Sequence, residues 1–360
     1  MQIVESVPPD ASGSTAEFGP KKSATNSVWV RIFHRWRPRV GILGLGLCLA
    51  GSLLHATLRD AVPFPLYVLY YALPRAMLTA IAGLATLLLQ RNPRRLHWGA
   101  ACLTASLMLW FLAADFAWRG QSFARQHGQI RMAVWNAAGH PHGWSPETQL
   151  PIDWLPTTDE IERWNADLIG LVECGEGLNS KSASWEQRFQ GYEVDHPGTG
   201  LVLLVRGRIL NRRDLSLGDG GRAIWYDVEI DGQELRCVLV DLVSSLMIPR
   251  NKAVARLSRT VLEWSDRPVL VFGDFNLPPE SRWLDRLRNQ GFQEAFEIAG
   301  TGYAPTWPVP VPVLTLDQIW GNRRIRFSHS SRGGTWQSDH LPVFACAEIA
   351  TERNKNMVDK

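Results

Sequence analysis

Seven polar side chains after residue 118 of this sequence stand where apolar segments end or begin. Asn136 closes "QIRMAVWN", Glu173 closes "DLIGLVE", and Asp274 and Asn276 terminate the run in "LVFGDFNLPPE". Asp317 lies within "LTLDQIW", and the pair Asp339-His340 directly precedes "LPVFACA". A single carboxylate in such a place is ordinarily a turn or cap residue. The repetition points instead to a site, because strand ends in α/β sheets gather along one edge, where ligands bind. Oxygen donors without cysteine suit a hard cation such as Mg²⁺, which takes one or two carboxylates plus water. Such an ion offsets repulsion between clustered carboxylates, polarises a phosphoryl oxygen and orients an attacking water.

The elements that must hold these residues are short apolar runs alternating with helical stretches over 120–349. Strands are predicted at 129–136, 167–173, 200–206, 223–230, 235–241, 268–274, 314–320 and 341–347. A helix is expected over 157–166, with Thr157 and Glu160 spaced as a capping box. A second is expected within 250–264, where Val254, Leu257, Val261 and Trp264 share one face. No internal repeat is present. The five cysteines show no CxxC or Cys/His metal spacing and read as buried free thiols, not a disulfide framework.

The first 118 residues are different in kind. They carry 11 Lys+Arg against 5 Asp+Glu, a formal +6, whereas residues 119–350 carry 24 against 28, a formal −4. The acidic half argues against a nonspecific grip on long nucleic acid, which needs a basic stripe. Residues 40–57 contain no charge, and at 1.5 Å per residue they extend about 27 Å, roughly one hydrocarbon core. Residues 98–117 are a second candidate span. Between them 64–89 is interrupted by Pro74 and Arg75 and reads as an interfacial Tyr-rich piece leading into a shorter span.

Three spans are therefore expected within 29–118, after a Pro-, Ser- and Gly-rich N-terminus (1–28) expected to be disordered. Arg31, Arg35, Arg37 and Arg39 precede the first span, and Arg91, Arg94 and Arg95 fall between the second and third. Basic flanks stay in the cytoplasm. The expectation is a multi-pass protein of the cell membrane with a cytoplasmic N-terminus and residues 119–349 on the outer, periplasmic or extracellular face. With two spans the same domain would face the cytoplasm. A cleaved signal peptide is disfavoured by the later apolar stretches and the missing small-residue cleavage pattern. Residues 350–360 form a polar tail.

With these residues on the page, 129–349 resembles the endonuclease/exonuclease/phosphatase superfamily, which includes pancreatic deoxyribonuclease, abasic-site endonucleases and bacterial sphingomyelinases. "VWNAAG" is similar to its strand-end Asn motif, "DLIGLVE" to its metal-binding Glu motif and "GDFNLPP" to its GDFN signature. "TWPVPVPVLTLDQIW" resembles its TWP and IDxI segments, and "SDHLPV" its terminal SDHxPV. The membrane-anchored N-terminus is similar to that of a bacterial subgroup with the same layout. The resemblance implies N-terminal transmembrane helices followed by an α/β domain, a two-sheet β-sandwich flanked by helices in four layers, α/β/β/α.

It also implies roles. Glu173, helped by Asn136 and Asp339, would hold a divalent metal, Mg²⁺ or Mn²⁺. Asp274 would orient or deprotonate the attacking water, and Asn276 would hydrogen-bond the phosphoryl oxygens as charge develops. His340, paired with Asp317, would supply general acid/base function.

One departure stands out. Many members have a second catalytic histidine in a "THL" segment after a strand; here the stretch is "VLVDLVSS", with Asp241 in that place. A carboxylate binds metal or accepts a proton, but it brings no positive charge to a phosphate. His140, His142 and His196, in predicted loops, are the candidates for a rerouted role. The glutamine common before the metal Glu is Val172.

The function expected is a membrane-embedded, metal-dependent phosphoesterase acting on a lipid head group, a nucleic acid or a small phosphate ester. The alternative is a catalytically degenerate member that binds a phosphate ligand or a partner, with Asp241 as its best support. A transporter or channel is disfavoured, because the spans offer few internal polar groups.

Overall fold

The computed structural model describes residues 24–118, 128–138, 155–174 and 189–350. His140 and His142 fall outside the described residues, as do most of 1–28 and the tail from 351.

The helical region comprises α1 (Ala24–Ala56), α2 (Leu66–Ala72), α3 (Arg75–Leu89) and α4 (Arg94–Asp115). Helix α1 begins at Ala24, inside the stretch expected to be disordered; no glycine or proline separates it from the apolar run until Pro38, so the helix extends outward once nucleated. Among the described residues, two helices are long and apolar enough to cross a membrane, His34–Ala56 and Arg94–Asp115. The piece between them is a pair, α2 and α3, bent by 81° at the break. Pro74 sits at that break as the N-cap of α3, where proline ends one helix and starts the next. Helix α3 packs against both α1 and α4. A Cβ on Gly51 of α1 would come within 2.7 Å of Leu78, so a small residue lets the two backbones close up. Cys102, expected to be buried, is exposed on α4, whose outer face meets no other helix.

The remainder is two six-stranded sheets packed face to face. In chain order the strands are β1 (Phe116–Trp118), β2 (Ile130–Asn136), β3 (Leu168–Val172), β4 (Glu193–Asp195), β5 (Val202–Val205), β6 (Arg208–Ser216), β7 (Gly221–Ile230), β8 (Gln233–Leu242), β9 (Val269–Asp274), β10 (Gln293–Glu294), β11 (Thr301–Tyr303), β12 (Asp317–Gly321), β13 (Ile325–Arg332) and β14 (Val343–Ile349). One sheet has the order β10-β12-β9-β8-β7-β6, the other β13-β14-β2-β3-β5-β4, and β1 pairs with β11 in a separate ribbon.

The two-residue period of a strand divides each sequence between two cores. Met132 and Val134 of β2, Cys237 and Leu239 of β8, and Phe272 of β9 meet between the sheets. Their neighbours Val238, Val240 and Val271 face outward and are covered by α6 (Asn251–Leu262) through Val254, Leu257 and Val261. Ala133 and Trp135 face outward on the other sheet, against Ile161 and Trp164 of α5 (Leu155–Trp164). The result is four layers, α/β/β/α. Helix α5 starts at Leu155, two residues before the expected start at 157. The Glu160 carboxylate accepts a hydrogen bond from Thr335 Oγ1 (2.7 Å).

The helical region is fastened to this sandwich at several points. Asp115 O at the end of α4 accepts from Ala304 N (2.8 Å), and β1 continues directly into its pairing with β11. Asp60, buried between α1 and α2, accepts from Ser281 Oγ (2.5 Å), Arg282 N (2.8 Å) and Tyr71 Oη (3.1 Å). Arg75 pairs with Asp115 (2.8 Å) and with Glu280 (2.7 Å), and Arg59 with Asp285. The end of α1, the start of α3 and the end of α4 therefore share one end of the helical region, and the 90–93 turn lies at the other.

Candidate active site

Register alone sets four of the polar residues side by side. Arg222 on β7 pairs with Asp241 on β8, Asp241 with Asp274 on β9, and Asp274 with Asp317 on β12. The row runs across four adjacent strands at one edge of one sheet. Facing it from the other sheet are Asn136, the last residue of β2, and Glu173, just beyond the last residue of β3.

Backbone conformation aims several of these groups. Gly273 has φ +144°, and a Cβ there would lie 1.8 Å from Val240 O, so only glycine lets β9 pass β8 immediately before Asp274. Glu173 (φ 53°) and Asn276 (φ 48°) are both left-handed. Glutamate gains no local hydrogen bond there as asparagine does, and the conformation costs roughly 1–2 kcal/mol. Strain of this kind concentrates where side-chain direction matters more than stability.

Asp274 is fully enclosed and heavily solvated by protein donors. Asn136 Nδ2 donates to Oδ2 (2.9 Å) across the two sheets, Asn276 N to Oδ1 (2.7 Å) and Asn276 Nδ2 to Oδ2 (3.1 Å). The same Asn276 amide also donates to Leu242 O (2.7 Å). Burial, and then the charge of Asp317, push Asp274 up to about 7, against the pull of His340 and Asn136. The His340 ring Nδ1 lies 2.8 Å from Asp317 Oδ2. Burial alone would lower this imidazole; the charge and hydrogen bond of Asp317 outweigh it, and the histidine is raised to about 9. Its backbone is held by Ser338 Oγ, which accepts from His340 N (3.0 Å) and donates to Asn136 O (2.7 Å), and by Trp135 Nε1, which donates to His340 O (2.9 Å).

The other flank is open. Glu173, Asp241 and Asp274 each offer a carboxylate oxygen within 4.8 Å of the others. A cavity of about 360 Å³ opens beside them, lined by Glu173, Asp219, Arg222, Asp241 and Ser244. The Asp241 side chain is 6% exposed and accepts from Arg222 Nη2 (2.5 Å), whose own side chain is 52% exposed. Burial pushes Asp241 up to about 6, with Arg222 pulling it down and Glu173 pushing it up.

The residues expected from sequence divide accordingly. Asn136, Glu173, Asp241, Asp274, Asn276, Asp317 and His340 are brought together. Asp339 is not: it is exposed, and its Oδ2 accepts from Trp307 Nε1 (3.0 Å). Asn136 spends its amide on Asp274, and its Oδ1 accepts from Ala138 N (2.8 Å). His196, just after β4, belongs to neither carboxylate cluster. Arg222 is the residue that sequence reasoning passed over. Its signal was present in "GGRAIW", a cation at the start of a strand that must lie beside β8.

The donor set fits a divalent cation. Three carboxylates converge with a single guanidinium to balance them, and Asp317 Oδ1 is buried with no hydrogen-bond partner. Both features are costly without a positive charge nearby.

The sequence profile of the Endonuclease/Exonuclease/phosphatase family matches residues 133–340, more than half of the chain. The chain belongs to the endonuclease/exonuclease/phosphatase family. Its members are hydrolases of phosphate esters, and this chain is a hydrolase of that class. No curated protein matches the sequence. Among solved structures, a family protein from Bacteroides vulgatus is 17% identical, covers 61% of this chain and 99% of its own, and superposes with a TM-score of 0.51. The human Nocturnin catalytic domain with bound sulfate is 17% identical, with coverage of 62% and 94% and a TM-score of 0.51. A mannosyl-6-phosphatase from Bacteroides thetaiotaomicron is 14% identical, with coverage of 61% and 100% and a TM-score of 0.51. At these identities the likeness is one of fold.

Proposed function

We propose that this chain is a membrane-anchored, Mg²⁺- or Mn²⁺-dependent phosphoesterase that opens a phosphodiester or phosphomonoester by in-line attack of water. The observation that carries the reading is the row Arg222–Asp241–Asp274–Asp317, faced by Glu173, Asn136 and His340. Glu173 and Asp241 would hold the cation, which supplies the charge that polarises phosphorus. Asp274, poised near neutrality, accepts the proton as the water oxygen bonds to phosphorus. Asn276 donates to the phosphoryl oxygens. His340, locked at Nδ1 by Asp317 and charged through neutral pH, has Nε2 as its remaining donor and protonates the leaving oxygen as the phosphorus–oxygen bond breaks. Arg222 takes over the positive charge that the family's second histidine supplies elsewhere, with Asp241 holding its guanidinium at the cavity rim.

The anchor reading rests on the two apolar helices and the bent pair between them. Arg91, Arg94 and Arg95 lie at the end of the helical region remote from the catalytic domain. That distribution supports three crossings, a cytoplasmic N-terminus and a catalytic domain on the outer face. Reporter fusions after residue 118 test it; a cytoplasmic signal overturns the outer placement.

The catalytic reading is tested by hydrolysis of bis-p-nitrophenyl phosphate by the full chain with and without Mg²⁺. Glu173→Ala and His340→Ala are each expected to lower it by at least about a hundredfold, and activity near the parent level in either overturns the assignment. A second reading, a binding module without turnover, is favoured only by Asp241 in place of the histidine. Metal-dependent binding of a phosphodiester analogue with no hydrolysis across a broad ester panel would establish it.

A further inference from the structure

The strand ends that carry the site continue into two loops, 243–250 after β8 and 275–284 after β9. Both run to the helical region. The second is pinned there by Asp60, Arg59 and Arg75 through Ser281, Arg282, Glu280 and Asp285. The edge of the sandwich that holds the carboxylates is thus the edge turned toward the ends of the apolar helices.

A groove of about 580 Å³ lies between the two regions. One wall, Phe64 and Tyr67, belongs to the segment after α1 and the first turn of α2; the other, Met247, Ile248, Leu277 and Trp283, belongs to the loops 243–250 and 275–284. Its size is that of a ligand site. Its rim is apolar and open: Phe64 is 57% exposed and Met247 70%. The groove is also joined to the site. Leu277 is the third residue after Asp274, so its Cα lies within about 11 Å of the Asp274 Cα. Arg250, at the groove, donates to Val243 O (2.6 Å) and Ser244 O (2.7 Å), two residues that line the site cavity.

The occupant must match an apolar channel at one end and a cation-ready carboxylate cluster at the other. A nucleic acid has bases that stack on aromatic rings, but it carries phosphate along its whole length and needs a basic track, and the groove offers one arginine, Arg250, opposite Asp60. A phosphate-bearing lipid has both parts, joined in that order. Half of the groove's wall is also built by the segment that follows α1, at the end where the apolar helices finish. Exposed apolar side chains of this size mark a contact surface for a membrane, a ligand or another protein, and the neighbouring helix ends favour the membrane.

We propose that the groove holds the hydrocarbon tail of a phosphate-bearing lipid whose headgroup ester lies at the Glu173–Asp241–Asp274 cluster. This rests on the phosphoesterase reading above and names its substrate class. The lipid enters sideways from the membrane, with its tail along Phe64 and Met247, and loop 243–250 forms the partition between tail and headgroup.

The test uses the full chain in mixed micelles with a phosphatidylglycerol carrying a photoreactive diazirine in its acyl chain. Illumination is expected to label the peptide containing Met247 and Ile248. Met247→Glu and Phe64→Glu should each remove that label. Each should also raise KM for a dioleoyl phospholipid ester about tenfold, the effect of placing a charge in an apolar channel. Hydrolysis of water-soluble bis-p-nitrophenyl phosphate should be unchanged in both. Labelling confined to the helices, or unchanged KM for the long-chain ester in both variants, overturns the groove while leaving the phosphoesterase reading intact. Groove labelling with no hydrolysis of either ester does the reverse: the tail site stands and the hydrolytic reading fails.

Discussion

The two flanks of the site are built on opposite principles. On one, Asp274, Asp317 and His340 are buried, interlocked by hydrogen bonds at 2.7–3.1 Å and backed by Asn136, Ser338 and Trp135. On the other, Glu173, Asp241 and Arg222 line an open cavity, and the guanidinium there is half exposed. The closed flank keeps the residue types on which the family resemblance rests; the open flank carries the change from histidine to Asp241. A closed network tolerates little substitution, because every lost partner leaves a buried polar group unpaired. An open rim can exchange one charged group for another, provided that a neighbour restores the balance. In the function proposed above, Arg222 is that neighbour.

The sharpest break of this contrast comes from the closed flank. His340→Ala is expected to lower kcat by about 10²–10⁴, with KM little moved, as for loss of a general acid. An equal loss of binding would instead make His340 a ground-state contact. Next in size is the open flank. Arg222→Met should cost about 10²–10³ in kcat, the range for one lost charge-stabilising donor. Arg222→Lys should recover part of it, since charge returns without the fork. The double variant Arg222→Met/Asp241→Asn should regain the stability lost by Arg222→Met while remaining slow, which steady-state kinetics and thermal melts together would show. Recovery of activity in the double variant would mean that the pair is structural.

Cation removal sharpens the comparison further. Saturating Mg²⁺ is expected to raise stability by about 2.7 kcal/mol at one hundred times its dissociation constant. Asp241→Asn should shift the half-point of that titration.

The smallest effect is a pH dependence measured in chelator. His340 is raised from 6.5 to about 9, so its contribution to stability is complete below pH 6.5 and is lost as pH rises toward about 9. Denaturation midpoints across that window should fall for the parent chain and stay flatter for His340→Gln.

How much was legible from sequence follows from burial. Strands β2, β3, β8, β9 and β14 are nearly continuous apolar runs because both of their faces are covered, and they stand out at once. Strands β6 and β13 lie at sheet edges and show no long apolar run: "RILNRRDLS" is mostly solvent-facing, and "IRFSHSSR" carries the polar residues His329 and Ser330, which are buried. They were missed for that reason. Motif residues on strand ends were readable individually, but pairing was not. The adjacency of Arg222 and Asp241 is a matter of register between β7 and β8, and no local pattern in either strand encodes it. Asp339 shows the reverse failure: its neighbour His340 turns inward while it turns to Trp307, a choice made by the loop.

The ribbon of β1 with β11 has a mechanical consequence. The chain leaves α4 at Asp115 and enters the β1–β11 pair at the next residue, so no residue intervenes between the helix and its first contact with the catalytic domain. Together with the Asp60 and Arg75 contacts, this gives the enzyme a fixed standing height and heading relative to the helices that carry it. Substrate must come to the site at that level. A flexible spacer inserted at residue 116 would turn a fixed tool into a tethered one, and the reach it gained would be lost as aim.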